Sequence, residues 1–394
     1  MGFWGGKQMT QKKRIGELDL LRFVFIIMVV LHHFETGTSP YGISVEFFFT
    51  LAGLFMARHA EKWDRSTDRN GRSLALVADE TWSFMKGKLR AFYKYYLCAF
   101  ALNVIVRCIL VNHVSAPAMV MRLLKSIPTV TLSFFAISGN STGFYLSASW
   151  FLSAMLIAMF ILYPILLRSY RFSVKILFPI LTLFLLGFEF AANKTIGVWN
   201  KWTGFTYFGI LRAASEIAFG ASLYYVSTEI TGNEMLMKIA RHPLVKAFFT
   251  LVKACCYAVA LLYAHKYVFG HKFSSSFDLH ALFFVGIGIL LSFSGLGWSI
   301  PDSKAARYLG KISLPIYIFH NLLKSICMGI LGVEELSPEY NWLMVVVCVI
   351  GSVVLMYVTD FAAQGIHKLW TALKEKLLAY VEARSGVPDQ RDEK

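Results

Sequence analysis

The chain has 394 residues, 56% of them hydrophobic, and a mean hydropathy of +0.55. This is too apolar for an ordinary soluble protein of that length and predicts an all-α polytopic membrane protein. The formal net charge of +15 would suit a nucleic-acid partner, but the lysines and arginines cluster in alternate connections between apolar runs, which is a signal of topology instead.

Ten apolar runs are long enough to span a bilayer: 18–38, 42–60, 92–112, 149–168, 175–192, 208–227, 246–267, 277–297, 308–330 and 341–361. They divide the chain into a lead over residues 1–17, a transmembrane domain over 18–361 and a basic amphipathic tail over 362–394. The first run is too charged, and too closely followed by the second, to be a discarded signal peptide. Basic residues crowd the lead, the connections after the second, fourth, sixth and eighth runs, and the tail. The intervening connections are poorer in positive charge, and the last of them carries Glu334, Glu335 and Glu339. An even number of spans with this alternation predicts that both termini are cytoplasmic. The six cysteines lack metal-ligand spacing and the histidines form no recognised metal set, so no metal site is expected.

In the first span Arg22 and His33 are eleven residues apart, about three helical turns, so they share one face roughly 16 Å apart along the axis. His32 points about 100° away. This face combines a cation near one membrane surface with a titratable imidazole towards the other. The second span, with VEFFFTLAGLF, puts Glu46 near the same outer end, where a carboxylate would orient an imidazole or raise its basicity. Ala52 and Gly53 read as close-packing residues. Lys86, Lys88 and Arg90 form a basic cluster expected just before the third span and suited to phosphate. Arg69 and Arg72 lie earlier, in polar sequence that looks flexible.

The connection from 112 to 149, with its IPT, SGN and STG stretches, suits a re-entrant or amphipathic cover over a cleft. Glu189 falls near the outer end of the fifth span. Trp199 and Trp202 follow in a polar setting that suits sugar stacking and an interfacial aromatic belt equally. Arg212 and Glu216 are one turn apart in the sixth span and are expected to pair, with Gly220 continuing their face. Asp278 and His280 open the eighth span from the outside, ahead of the close-packing run GIGILLSFSGLG. The ninth region, YLGKISLPIYIFHNLL, holds Pro315, which would kink a helix, and an intramembrane His320.

Several of these stretches together resemble acyltransferase family 3, the membrane-bound acyltransferases that O-acylate mainly extracytoplasmic glycans in bacteria. Arg22 and His33 match the family's arginine, ten residues, histidine signature. Glu46 with Phe47 and Phe48 matches its acidic residue and paired phenylalanines, with Ala52 where serine is usual. The run from Trp150 to Pro164, the LRAASEIAFG stretch, and Gly310, Lys311, Ser313, Tyr317 and His320 match further motifs. The chain departs from the family at the arginine pair entering the third helix, where Lys88 and Ala91 stand, and at Met155, where many members carry glutamate.

The resemblance implies an acyltransferase-3-like helical bundle in a bacterial inner membrane. It implies an enzyme that passes an acyl group, most simply acetyl, from a cytoplasmic CoA thioester to a hydroxyl of a glycan or glycolipid. Acetyl-CoA is then a substrate, with no tightly bound cofactor, and the partners are membrane lipids, donor and acceptor. His33, oriented by Glu46, would be the catalytic base. Arg22, Lys86, Lys88, Arg90 and His320 are the donor-side candidates, and Arg212, Glu216, Trp199, Trp202 and Asp278 the acceptor-side ones. His33 lies towards the outer side while CoA stays inside, so a deep donor tunnel is expected in preference to an acyl-enzyme relay. A secondary transporter and a catalytically inactive membrane protein are the alternative readings.

Overall fold

The computed structural model describes residues 14–34, 43–67, 72–108, 116–133, 144–146, 148–264, 267–268, 271–272, 275–332 and 340–385. Each of the ten expected spans falls on a helix: α1 (Gly16–Phe34), α2 (Ile43–Ser66), α3 (Leu74–Val106), α6 (Ser149–Arg168), α7 (Tyr170–Asn193), α8 (Phe208–Gly232), α10 (Pro243–Ala264), α11 (Asp278–Ser294), α12 (Lys304–Leu331) and α13 (Asn341–Ser385). Short helices α4 (Ala116–Lys125), α5 (Ile127–Val130) and α9 (Glu234–Ala240) lie in the connections. A two-residue antiparallel ribbon pairs β1 (Tyr267–Val268) with β2 (His271–Lys272).

Among the described residues, seven helices are long and apolar enough to cross a membrane: α2, α3, α6, α7, α10, α12 and α13. The other three differ in kind. Helix α1 carries Glu17, Asp19 and Arg22, and α8 carries Arg212 and Glu216, while α11 has only 17 residues. Helix α1 packs along α12, and α8 packs against α2, α6, α7 and α11. The charges of α1 and α8 thus lie on helices packed against other helices, where partners such as Glu46 for Arg212 satisfy them.

The α2–α8 contact is set by glycine. A Cβ at Gly53 would lie 1.9 Å from the Ile217 carbonyl oxygen, and one at Gly220 would lie 1.8 Å from that of Thr50. The backbones therefore touch in both directions, as small residues allow in membrane bundles. The glycine-rich α11 works similarly, with Gly286 against Phe219 of α8 and Gly288 against Tyr257 of α10.

The connection between the second and third spans is shorter than expected. Helix α2 continues to Ser66, and α3 starts at Leu74 because the Ser73 hydroxyl accepts the Leu76 amide at 3.2 Å. Lys86, Lys88 and Arg90 are therefore within a helix rather than ahead of one. Arg72 is buried, not flexible: it pairs with Asp64 at 2.7 Å and donates to the carbonyls of Asp64, Thr67 and Leu167, tying this connection to α6. Arg69 lies outside the described residues, as do the SGN and STG stretches and the three glutamates of the last outer connection. In the cover region, the hydroxyls of Tyr93 and Tyr96 donate to the carbonyls of Val130 and Thr129 at 3.0 and 2.6 Å, fastening α5 to α3. Helix α12 runs unbroken through Pro315, and α13 runs unbroken from its membrane segment into the amphipathic tail.

Candidate active site

His33 stands in the last turn of α1, half-buried, with its ring centroid 4.9 Å from that of His320 and 5.0 Å from that of His32. His320 is 1% exposed. Its Nδ1 lies 2.7 Å from the Tyr317 carbonyl and therefore donates, which leaves Nε2 to accept from the Asn321 amide at 2.9 Å. Both His320 nitrogens are thus occupied, and what it offers His33 is a ring face. Neither His33 ring nitrogen has a hydrogen-bond partner among the described residues. The helix α12 register brings His320, one of the donor-side candidates, level with His33.

Three turns away, Arg22 lies 3.6 Å from Asp19, whose other partner is Arg14 at 2.5 Å. Asp19 occupies the notch left by Gly310, where a Cβ would come within 2.5 Å of its carboxylate. Gly310, part of the YLGKIS motif, thereby lets α12 approach the charged end of α1. Lys88 is half-buried, packs over Phe84 at 5.0 Å, and is close enough to Arg22 to feel its charge. Lys86 and Arg90 are exposed, with Lys86 over Trp82 at 5.9 Å. The basic cluster is split because residues two apart on a helix point about 200° apart.

The second centre is built on Arg212. Its guanidinium meets Glu46 at 2.6 Å and Glu216 at 3.3 Å, donates to the Gly197 carbonyl at 3.2 Å, and lies 5.7 Å over the Trp150 ring. All three charged groups are fully buried. The expected Arg212–Glu216 pair is present. The expected Glu46–His33 contact is not: Glu46 faces α8 across the Gly53–Gly220 crossing, and its buried carboxylate is held by the guanidinium. Glu189 of α7 lies within electrostatic range of the same group, buried, with neither oxygen hydrogen-bonded among the described residues. Asp278 is also buried, accepting from Thr195 and from the Ile196 and Leu279 amides, the last two at 2.8 Å. Trp199 stacks on Trp150 at 5.2 Å, whereas Trp202 is exposed against Tyr207. The two tryptophans therefore do not form one platform.

Aromatic rings join the two centres. Tyr317 contacts the His320 ring at 5.9 Å and Phe151 at 5.3 Å; Phe151 neighbours Trp150 at 6.1 Å, which lies over Arg212. A family model for an acyltransferase domain, that of acyltransferase family 3, matches residues 15–360, nearly the whole chain. The chain belongs to acyltransferase family 3. No curated protein and no solved structure matches it.

This acyltransferase thus carries a half-buried imidazole without a hydrogen-bonding partner among the described residues, and about three turns away on the same helix Arg22, with Arg14 before the helix and Lys88 of α3 nearby. An imidazole without a hydrogen bond is chemically able to accept a proton from a hydroxyl, and guanidinium and ammonium groups are able to bind phosphate. Trp150 and Tyr317, which the sequence offers only as motif matches, and Asn321 and Lys324, which it does not single out, complete the surroundings. Asn321 and Lys324 neighbour His320 in a stretch otherwise rich in apolar residues, so polar residues within one turn of an intramembrane histidine are the signal that would have found them.

Proposed function

We propose that this acyltransferase moves an acyl group, acetyl in the simplest case, from a cytoplasmic CoA thioester to a hydroxyl of an extracytoplasmic glycan or glycolipid. His33 is the general base. The observation that carries the reading is the pairing, on α1, of the His33 imidazole with Arg22 about 16 Å away, with the half-buried Lys88 of α3 within electrostatic range of Arg22. That separation suits an extended pantetheine arm, with donor phosphates at the cationic end and the thioester at the imidazole.

In this reading the acceptor oxygen attacks the thioester carbonyl carbon as His33 takes its proton. The C–S bond breaks, and His33 returns the proton to the departing thiolate. Products are the acyl ester and CoA thiol, with no net proton change. Arg22 and Lys88 hold the donor, and His320 supports the His33 ring. Glu46, Arg212 and Glu216 act as the scaffold of the α2–α8 crossing, and Trp150 with Trp199 borders the acceptor side. The protein sits in a bacterial inner membrane with both termini in the cytoplasm, in keeping with the alternating basic connections.

The test is a purified-protein assay with labelled acetyl-CoA and candidate glycan acceptors. Stoichiometric release of CoA thiol and appearance of label in an ester of the acceptor are expected. Thioester loss that is equally fast without any hydroxyl acceptor contradicts the reading.

A further inference from the structure

Helix α12 touches His33 at two points, one turn apart. The lower point is the His320 ring, 4.9 Å from the His33 ring and locked by its own bonds to Tyr317 and Asn321. The upper point is Lys324, whose ammonium donates to the His33 backbone carbonyl and lies 5.4 Å over the Phe34 ring. The His33 carbonyl is in the last turn of α1, where carbonyl groups have no partner within the helix and where a cation is favoured by the helix dipole. A lysine is costly in this apolar stretch of α12, which holds it half-buried. Its placement ties down a residue whose imidazole has no hydrogen bond among the described residues.

We infer that Lys324 is a positioning residue for acyl transfer: with His320 it clamps His33 by main chain and ring, fixing where the catalytic imidazole stands. The inference rests on His33 being the base. A ring on the final turn of a helix moves whenever that turn frays, and frays are commonest there. His320 alone restrains the ring's face, while its rotation about the helix axis is restrained by holding the peptide. A displacement of about 1 Å at a reacting group is enough to cost on the order of 10²-fold in rate. Lys324 thus acts through His33 rather than on donor or acceptor.

The experiment is a double-mutant cycle on the full chain in lipid nanodiscs, with K324M, K324R, H33A and H33A/K324M. Unfolding temperature, acetyl-CoA affinity, kcat and KM are measured on each. K324M is expected to fold, to bind donor within about twofold of the parent, and to lose tenfold or more in kcat, on the scale of a misplaced catalytic group. K324R, which keeps the cation, is expected to recover most of that loss. In the H33A background K324M is expected to cost nothing further, because its effect passes through the imidazole. A K324M loss that multiplies with that of H33A, a loss confined to KM or donor binding, or failure of both K324M and K324R to fold would each overturn the inference. Near-parental turnover by H33A would instead remove the general-base reading itself, and is told apart because it appears in the single variant.

Discussion

Arg212 of α8 and Glu46 of α2 meet at 2.6 Å in the interior of the bundle, both fully buried, across the point where Gly53 and Gly220 bring the two backbones into contact. Glu216 completes the triad from one turn along α8. The group carries one formal positive and two negative charges, so removal of the guanidinium leaves two carboxylates uncompensated.

Arg212→Ala is accordingly expected to destabilise the protein by about 3–5 kcal/mol, the cost of breaking a buried ion pair. Replacing all three members by apolar residues of similar volume should cost less than the single change. Thermal unfolding in one detergent checks the order. A stable Arg212→Ala protein that binds donor normally but has no turnover would move the triad from scaffold to chemistry.

Gly53→Ala tests the crossing itself. Its Cβ would sit 1.9 Å from the Ile217 carbonyl oxygen, an atom of the backbone that cannot rotate away. The helices must separate, at a cost of about 1–3 kcal/mol or more. Gly187→Ala, where nothing lies within 4 Å, serves as the control and should be neutral or slightly stabilising. Equal unfolding temperatures for the two variants would contradict the close approach.

The position of each apolar helix was legible in the sequence, because about 20 apolar residues have few other outcomes. The Arg212–Glu216 pair was legible too, since helix periodicity places residues four apart on one face. What it does not report is which other helix faces that surface, and so Glu46 was assigned to the nearby His33 rather than to Arg212. The helical start of α3 at Leu74 was hidden for a different reason: lysines and arginines in 86–90 resemble a topological loop signal, yet they are good helix formers once Ser73 caps the turn. The split of Lys88 from Lys86 and Arg90 follows directly from that helix.

Because Lys88 is half-buried while Lys86 and Arg90 are exposed, Lys88→Ala should weaken acetyl-CoA binding about tenfold, while Lys86→Ala and Arg90→Ala should each change it less than about twofold, as expected for exposed charges in high dielectric. Titration of each variant with an unreactive CoA analogue measures this. Equal losses for all three would indicate a diffuse electrostatic surface instead.

The alternation of basic connections predicts that the 331–340 connection and the tail beyond Lys368 lie on opposite sides of the membrane. Single cysteines in each, in a chain freed of its own six, should be labelled by an impermeant maleimide from opposite sides of sealed vesicles. Labelling of both from one side would contradict the ten-span topology.

The central claim is that His33 supplies the catalytic imidazole. The most direct measurement is single-turnover acyl transfer by His33→Ala and His32→Ala, with donor binding and unfolding temperature determined on the same preparations. His33→Ala is expected to stay folded, to bind donor as the parent does and to transfer at least about 10²-fold more slowly, the scale of general-base assistance, while His32→Ala loses less. Transfer by His33→Ala at close to the parental rate, with turnover collapsing in His32→Ala instead, would contradict it.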